Sequence, residues 1–579
     1  MATLTNRANY QDIDGILWGW QWTPNQADGH TRLYYAFPTT AADYQYPVSG
    51  FEPFSLVQQA AASRAIANAD AVCNLDFAFT ADGAAGNIRF AEADSFTISG
   101  FTWDGSTAFG LAPDEAHVAP AGQGDTWFNH SFYNAPTPGS FGYAAGILHE
   151  LGHALGLKHG HMSQDVFAAD GTLLYTNPAL AAGRDGVEYS VMTYRAYPGA
   201  PLTLDPPDEG PSTLMQNDIY ALQWMYGVNY DHNSGNTTYR WNNATGEMSV
   251  NGAGQGVPYH NKVLMTVWDG GGSDTYDFSN FSGPVTVDLR PGGWSTPSPA
   301  MLADLDWRLD VTHLARGCIA NALAFLGDYR GYIENATGGS GNDYLTGNLL
   351  RNELRGNGGN DTLNGGAGSD VLFGGLGNDS YVLGAESTGI DTVSDAGGTA
   401  DRILSAITRS LATYRPIEQL TLTGLAAING SGNDLGNVIV GNAAANILNG
   451  GLGNDRLVGL AGNDVLIGGA GRDVSTGGLG NDVFCFTRAS QSPRGSGADT
   501  ITDFDDLGND RIDLRPVYGG TLGYIHDAQF TGAGQVRIDD VAGSSVVVEV
   551  NIGGSLDADM QIRLAATTLQ SMSASDFLL

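Results

Sequence analysis

Cysteine is almost missing from this chain of 579 residues, and the three that occur, Cys73, Cys318 and Cys485, lie far apart in sequence. No disulfide framework and no zinc-type cysteine pair follows from them. They read as three buried free thiols. Positive charge is scarce as well: 26 Lys and Arg stand against 62 Asp and Glu, a net charge of −36. That balance argues against a nucleic-acid partner. No run of 18 apolar residues exists to predict a transmembrane helix. The N-terminus, MATLTNRANYQDIDG, lacks the basic patch and apolar core of a Sec signal peptide. These absences, taken alone, point to the cytoplasm. A G-x-S-x-G nucleophile elbow is also missing, which excludes a lipase of that type.

What is present is apolar enough to fold: 42% of residues are hydrophobic, too many for wholesale disorder. The first 235 residues predict an α+β region. Phe54–Val72 and Leu214–Gly227 have apolar residues at helical spacing, the second ended by its glycine. TRLYYAF and NIRFAEA read as strands between them. Beyond residue 236 the pattern becomes alternating and strand-like.

Glycine is over-represented, at 81 residues, and most of the excess has a period of nine. GGSGNDYLT begins at Gly338, GNGGNDTLN at Gly356, GGAGSDVLF at Gly365 and GGLGNDSYV at Gly374. The pattern resumes with GGLGNDRLV at Gly450, GLAGNDVLI at Gly459, GGAGRDVST at Gly468 and GGLGNDVFC at Gly477. A nine-residue self-similar period predicts a solenoid whose units bury their apolar residues only against each other. Six residues make a turn, with glycines for φ > 0, and three make a short strand. The sixth-position aspartates then stack in rows, and stacked carboxylates need a hard cation with oxygen ligands between them, for which Ca²⁺ is suited. The expected ligands are Asp361, Gly366, Gly368, Asp370, Gly375, Gly377, Asp379, Gly451, Gly453, Asp455, Asp464, Asp473 and Asp482. GNLLRNELR and GNAAANILN keep the period but lose the Asp, and such degenerate copies bind poorly.

Histidine is rare, with 11 residues, yet four fall in GILHELGHALGLKHGH, Gly146 to His161. His149 and His153, four apart, share one face of a helix. Gly156 ends that helix in a left-handed conformation, and the turn brings His159 back to the same point. Three neutral imidazoles with one coordination position left open describe a catalytic zinc site. Glu150 is poorly placed to ligate but can reach the activated water as general base and pass the proton to a leaving amine. His161 lies outside the pattern and reads as a surface residue, not a ligand.

HELGHALGLKH resembles the extended zinc signature of the metzincin endopeptidases. EYSVMTYR places Met192 where that superfamily has its Met-turn and Tyr194 where serralysins and astacins have a tyrosine near the zinc. The implied role of Tyr194 is a switchable ligand that hydrogen-bonds the tetrahedral intermediate. Combined with the nine-residue repeats, the chain is similar to the serralysins, secreted bacterial proteases. DIDGILWGWQWT, DTWFNHS, LMQNDIYALQWMYGVN, WDGGGSDTYDFS and YIENATGGSGNDYLTGN also resemble segments of that family. By that resemblance Asp269, Gly271, Gly272 and Asp274 bind one calcium, and Glu334, Gly339, Gly341 and Asp343 contribute to others. It further implies export by a type I secretion apparatus that reads an uncleaved tail such as SASDFLL, which replaces the cytoplasmic expectation with an extracellular one, and a short N-terminal propeptide, Met1 to Ala8 or a little more. Calcium-coupled folding outside the cell fits a carboxylate-rich coil. Many serralysins have proline after the third histidine, where this chain has Gly160, and the stretch 295–311 is longer than the family pattern.

The expected fold class is an α+β metzincin protease domain followed by an all-β parallel β-roll (RTX) solenoid region. The expected divisions are an N-terminal arm at 1–10, the protease domain at 11–235, and strands leading into the roll at 236–337. A first calcium roll follows at 338–383, then a strand-rich bridge at 384–428, a second calcium roll at 429–485, and a C-terminal β cap carrying the secretion signal at 486–579. The expected function is a secreted, calcium-stabilised zinc endopeptidase acting on extracellular or cell-surface proteins, as a monomer, with a substrate strand paired at a sheet edge near GDTWFNHS. The competing reading is a calcium-binding RTX surface or adhesin protein with an ancillary protease domain.

Overall fold

In the computed structural model, Ser55 opens a 17-residue helix, α1 (Leu56–Val72). The Ser55 side chain accepts from the Gln58 amide, and the Gln58 side chain accepts from the Ser55 amide at 2.8 Å, a reciprocal cap. The Ala-rich sequence favours the helix. Its small residues, Ala61, Ala62, Ala65 and Ala69, are buried in the same core as Phe54, Phe90, Ile147 and Leu151. The structure describes every residue except 1, 5–7, 9, 28, 99–100, 104–107, 113–121, 131–135, 141, 168–171, 203–208, 307–311, 385–390, 505–509, 542–544, 566 and 569–570. The end of the 295–311 stretch, Ser131 of DTWFNHS and half of the 1–10 arm therefore lie outside the described residues.

The chain divides into two compact units, Met1–Gly339 and Ser340–Leu579. The first contains a mixed sheet of β1 (Thr31–Ala36), β2 (Leu75–Phe79), β3 (Ile88–Glu92), β4 (Phe109–Gly110) and β5 (Asp125–Phe128), in the spatial order β4-β5-β3-β1-β2. All pairings along this order are parallel except β4 with β5. The strand Glu52–Pro53 also pairs, antiparallel, with β3. Among the described residues β4 is an edge strand of this sheet, directly beside the DTWFNHS strand β5, which is itself buried along its whole length. In the arm, Ala2–Leu4 pairs antiparallel with Trp20–Trp22.

Against this sheet lies the histidine helix, wound as a π-helix over Gly142–Leu148 and continuing as α2 (His149–Ala154). The predicted second amphipathic helix is α3 (Gln216–Tyr226), ended by Gly227 at φ +83°. Farther along, Thr238–Trp241, Thr275–Asp277 and Asn335–Thr337 form parallel pairs.

The second unit is β-rich and largely parallel. Short strands recur along it and pair with the strand one turn on, so that Leu363 faces Tyr381, Tyr381 faces Ile403, Ile403 faces Leu420 and Leu420 faces Ile439. Each of these middle residues is fully buried. This row runs without a break through 384–428. On the opposite face the row ends at Thr392–Ser394 and a new one starts at Arg409–Ser410. The C-terminal part adds an antiparallel meander, Gln535–Val541, Ser545–Asn551 and Met560–Ala565. The final strand, Phe577–Leu578, pairs parallel with Arg511–Asp513, and the Leu514 amide donates to the Leu578 carbonyl at 2.9 Å. Cys73 and Cys318 are buried free thiols; Cys485, in an outer strand position, is only half-buried.

Candidate metal centre

The predicted turn brings three imidazoles to one point. His159 Nε2 lies 3.1 Å from His149 Nε2 and 3.0 Å from His153 Nε2. On the far side of each helix ring a carbonyl fixes the tautomer. His149 Nδ1–H donates to the Val191 carbonyl at 2.7 Å, and His153 Nδ1–H donates to the Leu157 carbonyl at 2.8 Å. Since a carbonyl only accepts, both Nδ1 atoms carry the hydrogen and the Nε2 lone pairs face one another. Three converging lone pairs repel unless a cation sits among them. Ligands of a tetrahedral zinc at ~2.05 Å are about 3.3 Å apart, so the donor set fits the ion. Burial drives the imidazolium forms out, pushing His149 down to about 4 and His153 to about 3, and His159 lower still. All three rings are then neutral, as metal ligands must be.

Glycines set the loop. Gly156 ends α2 at φ +99°, where a Cβ would also strike the Trp20 carbonyl. A Cβ on Gly152 would run into Met192 Sδ, so the glycine inside H-E-L-G-H leaves room for the methionine below. Met192 is fully buried. The Gly160 amide donates to the Met192 carbonyl at 2.9 Å, a bond that proline at this position could not make. Lys158, 2% exposed, points its ammonium at the carbonyls of Gly15, Met162 and Pro178 and so fastens the same loop to two other segments.

Sequence reasoning missed the residue that holds the Met192 turn. Asp218, buried at the start of α3, accepts from Ser190 Oγ at 2.5 Å, from the Val191 amide at 2.8 Å and from the Met215 amide at 2.9 Å. Val191 in turn holds His149. An acidic residue in the first turn of a helix is ordinary, so nothing in the sequence distinguished it.

Glu150 is 5% exposed beside the trio. Burial pushes its carboxyl up to about 8, opposed by the Gly110 amide of β4; the charge of a cation at the histidines acts in the same direction as that amide. A Cβ on Gly110 would strike the Glu150 carbonyl, so that glycine lets the edge strand approach α2. The Tyr194 ring stacks on His149 at 5.6 Å and 15° and lies 4.4 Å from His159. Burial and the Glu150 charge raise its phenol above the ordinary range, so its O–H remains a donor. His161, expected at the surface, is instead half-buried, stacked on Tyr194 at 5.0 Å and on His159 at 5.5 Å. It is not among the converging nitrogens.

The aspartate rows also form. Asp361 Oδ1 accepts from the Asp343 amide at 2.7 Å, Asp379 from the Asp361 amide at 2.8 Å and Asp370 from the Asn352 amide at 2.8 Å. Asp455, Asp464, Asp473 and Asp482 repeat the bond, each to the residue 18 earlier. The second oxygen of Asp361, Asp370, Asp379, Asp455, Asp464 and Asp473 is buried without a hydrogen-bond partner among the described residues. Burial raises Asp361 and Asp455 to about 7 and Asp370, Asp379 and Asp464 to about 6. Gly366, Gly368, Gly375, Gly377, Gly451 and Gly453 all take positive φ, and a Cβ on each would meet a carbonyl of the preceding turn. Orphaned carboxylate oxygens beside close carbonyls suit a hard cation.

In the first unit Asp269 and Asp274 flank Gly271 (φ +139°) and Gly272 (φ +146°), the Asp274 amide donates to Glu334, and Asp274 Oδ2 is an orphan of the same kind. Gly339 closes against the Phe281 carbonyl; Gly341 and Asp343 belong to the second unit.

Four further aspartates continue the rows unpredicted. Asp391, Asp401, Asp499 and Asp510 accept from the amides of Asp370, Asp379, Asp473 and Asp482 at 21 to 28 residues' distance. Insertions break the period, but an Asp followed by a strand triplet survives in DTVS, DRIL, DTIT and DRID. In the degenerate copies an amide takes the cation's place: Asn446 Nδ2 donates to the Ile428 carbonyl and to Asn442 Oδ1.

The family profile described as Peptidase M10 serralysin C terminal matches residues 228–297 and 425–579, and that of the RTX calcium-binding nonapeptide repeat matches 331–349 and 350–381. The chain is 34% identical over 428 residues to Metalloprotease AprA of Pseudomonas entomophila, spanning 72% of this chain and 79% of that one. It is 33% identical to Metallopeptidase AprA of Pseudomonas marginalis over 70% of this chain and 77% of the other. With Serralysin G of Dickeya chrysanthemi it shares 31% identity over 56% of this chain and 60% of that one.

Proposed function

The chain belongs to the serralysin family of metalloproteases, and from that membership we propose that it is a secreted, calcium-stabilised zinc endopeptidase cleaving extracellular or cell-surface proteins. The carrying observation is the convergence of three Nε2 atoms, with the tautomers of His149 and His153 fixed from behind by carbonyls. His149, His153 and His159 would hold zinc, which when bound supplies Lewis acidity toward water and the scissile carbonyl. Glu150 takes the proton of the attacking water and delivers it to the leaving amine. The Tyr194 hydroxyl donates to the developing oxyanion. An extended substrate pairs along β4, an edge strand of this sheet among the described residues, whose Gly110 abuts Glu150.

The first unit is read as a metzincin-type protease domain with Met192 beneath its metal, and the second as an RTX β-roll filled by calcium. Orphaned oxygens on Asp361, Asp370, Asp379, Asp455, Asp464, Asp473 and Asp274 support that reading. Export through a type I apparatus follows from the family resemblance of the tail.

The test is Glu150→Gln. The variant keeps the zinc content of the unaltered protein and loses ~10²–10⁴ in casein cleavage rate. Undiminished cleavage would remove the mechanism.

A further inference from the structure

A second set of ligand atoms, distinct in its residues from the histidine trio, gathers in the first unit. Glu52 lies opposite Glu92 in the pairing of Glu52–Pro53 with β3, and His130 follows β5. One ligand atom from each of Glu52, Glu92 and His130 lies within 4.8 Å of the other two.

The imidazole is oriented for a ligand. His130 Nε2 lies 2.9 Å from the Gly50 carbonyl, so Nε2 carries the hydrogen and Nδ1 is a bare lone pair. Asp94, with an oxygen 3.5 Å from Nε2, favours the same tautomer. Nδ1 is fully buried and has no hydrogen-bond partner among the described residues. It faces Glu52 Oε2 at 3.6 Å and Glu92 Oε2 at 3.7 Å. Both separations are too long for hydrogen bonds. They match two ligands of one cation at ~2.1 Å that subtend about 120°, which stand about 3.6 Å apart. Glu92 is itself aimed: it is 5% exposed, and its other oxygen accepts from Gln58 Nε2 at 2.8 Å. A lone pair between two carboxylate oxygens is repulsive on every side until a positive charge enters. The arrangement repeats the logic of the histidine trio, where a carbonyl behind the ring fixes the face presented to the metal.

We propose that Glu52, Glu92 and His130 form a second divalent-cation site of zinc type, separate from the catalytic one. One imidazole and two carboxylates suit zinc, whereas calcium takes oxygen ligands throughout. The ion adds a side-chain tie among the strand Glu52–Pro53, the residue that follows β5 and the end of β3, which already pair as neighbours in the sheet.

The test uses the full chain, saturated with calcium, loaded with zinc and freed of excess by gel filtration. Metal analysis should give two zinc ions per chain. His130→Ala and Glu92→Gln should each give one and still cleave casein. Glu52 is an exposed side chain, so Glu52→Gln leaves packing intact and should weaken the second zinc by at least ~10-fold. One zinc in the unaltered protein, or two held equally tightly in all three variants, overturns the proposal.

Discussion

The Gly160 amide donates to the Met192 carbonyl at 2.9 Å, and by this bond the loop carrying His159 is fastened to the turn beneath the trio. Replacing Gly160 with proline removes the donor and leaves a buried carbonyl unpaired, at a cost of about 1–3 kcal/mol. Gly160→Pro should lower the melting temperature of the calcium-loaded protein and weaken zinc binding, read by competition with a chelator. Proline here is what many serralysins have, so unchanged zinc affinity would mean that the loop finds their path without this bond.

Tyr194 stacks on His149 and His159 and keeps its proton. Tyr194→Phe retains the stacking and removes the donor. The expected result is a fall in kcat of about 10²–10³ with KM and zinc content unchanged. A change in KM alone would make the tyrosine a substrate-binding residue.

The aspartate rows predict opposite pH profiles with and without calcium. In the cation-free fold, burial raises Asp361 and Asp455 to about 7 and Asp370 and Asp464 to about 6, against about 4 in the unfolded chain. The fold then prefers the protonated groups, so their contribution is complete below pH ~4 and is lost as pH rises through the raised values. The chelated protein should melt at progressively lower temperature as pH is raised across that range. Calcium needs the ionised groups, so the loaded protein should lose stability as pH falls through it. Parallel melting curves in the two conditions would show that the rows hold no calcium.

Asp464→Asn tests one rung. Asn446 shows how an amide is accommodated there, with its Nδ2 turned to the Ile428 carbonyl. The variant should bind fewer calcium ions and melt lower in calcium, yet melt no lower than the parent in chelator, since a buried orphan oxygen has gone.

What sequence could show, it showed through spacing. The histidines at helical interval and the aspartates at period nine are local patterns, and their chemistry could be read from them. Val191 and Asp218 could not be found that way, because they act through a backbone carbonyl and through bonds across 27 and 28 residues. Asp391 and Asp499 escaped because inserted residues broke the period while leaving the strand triplet. β4 is two residues long, too short for any alternation to register, which is why only its neighbour, DTWFNHS, pointed to this edge. His130 stood alone in DTWFNHS, and its partners come from a strand some 80 positions earlier and from the end of β3.

The last strand, Phe577–Leu578, is stitched into a sheet beside Arg511–Asp513, with the Phe577 ring buried. An exporter that recognises these residues has to grip them as loose chain, because once they are stitched in no apolar side chain of Phe577 is left to hold. If export follows the family resemblance of this tail, recognition and maturation are consecutive and exclusive: the handle would disappear into the finished fold, and a molecule that matured too early could no longer be shipped.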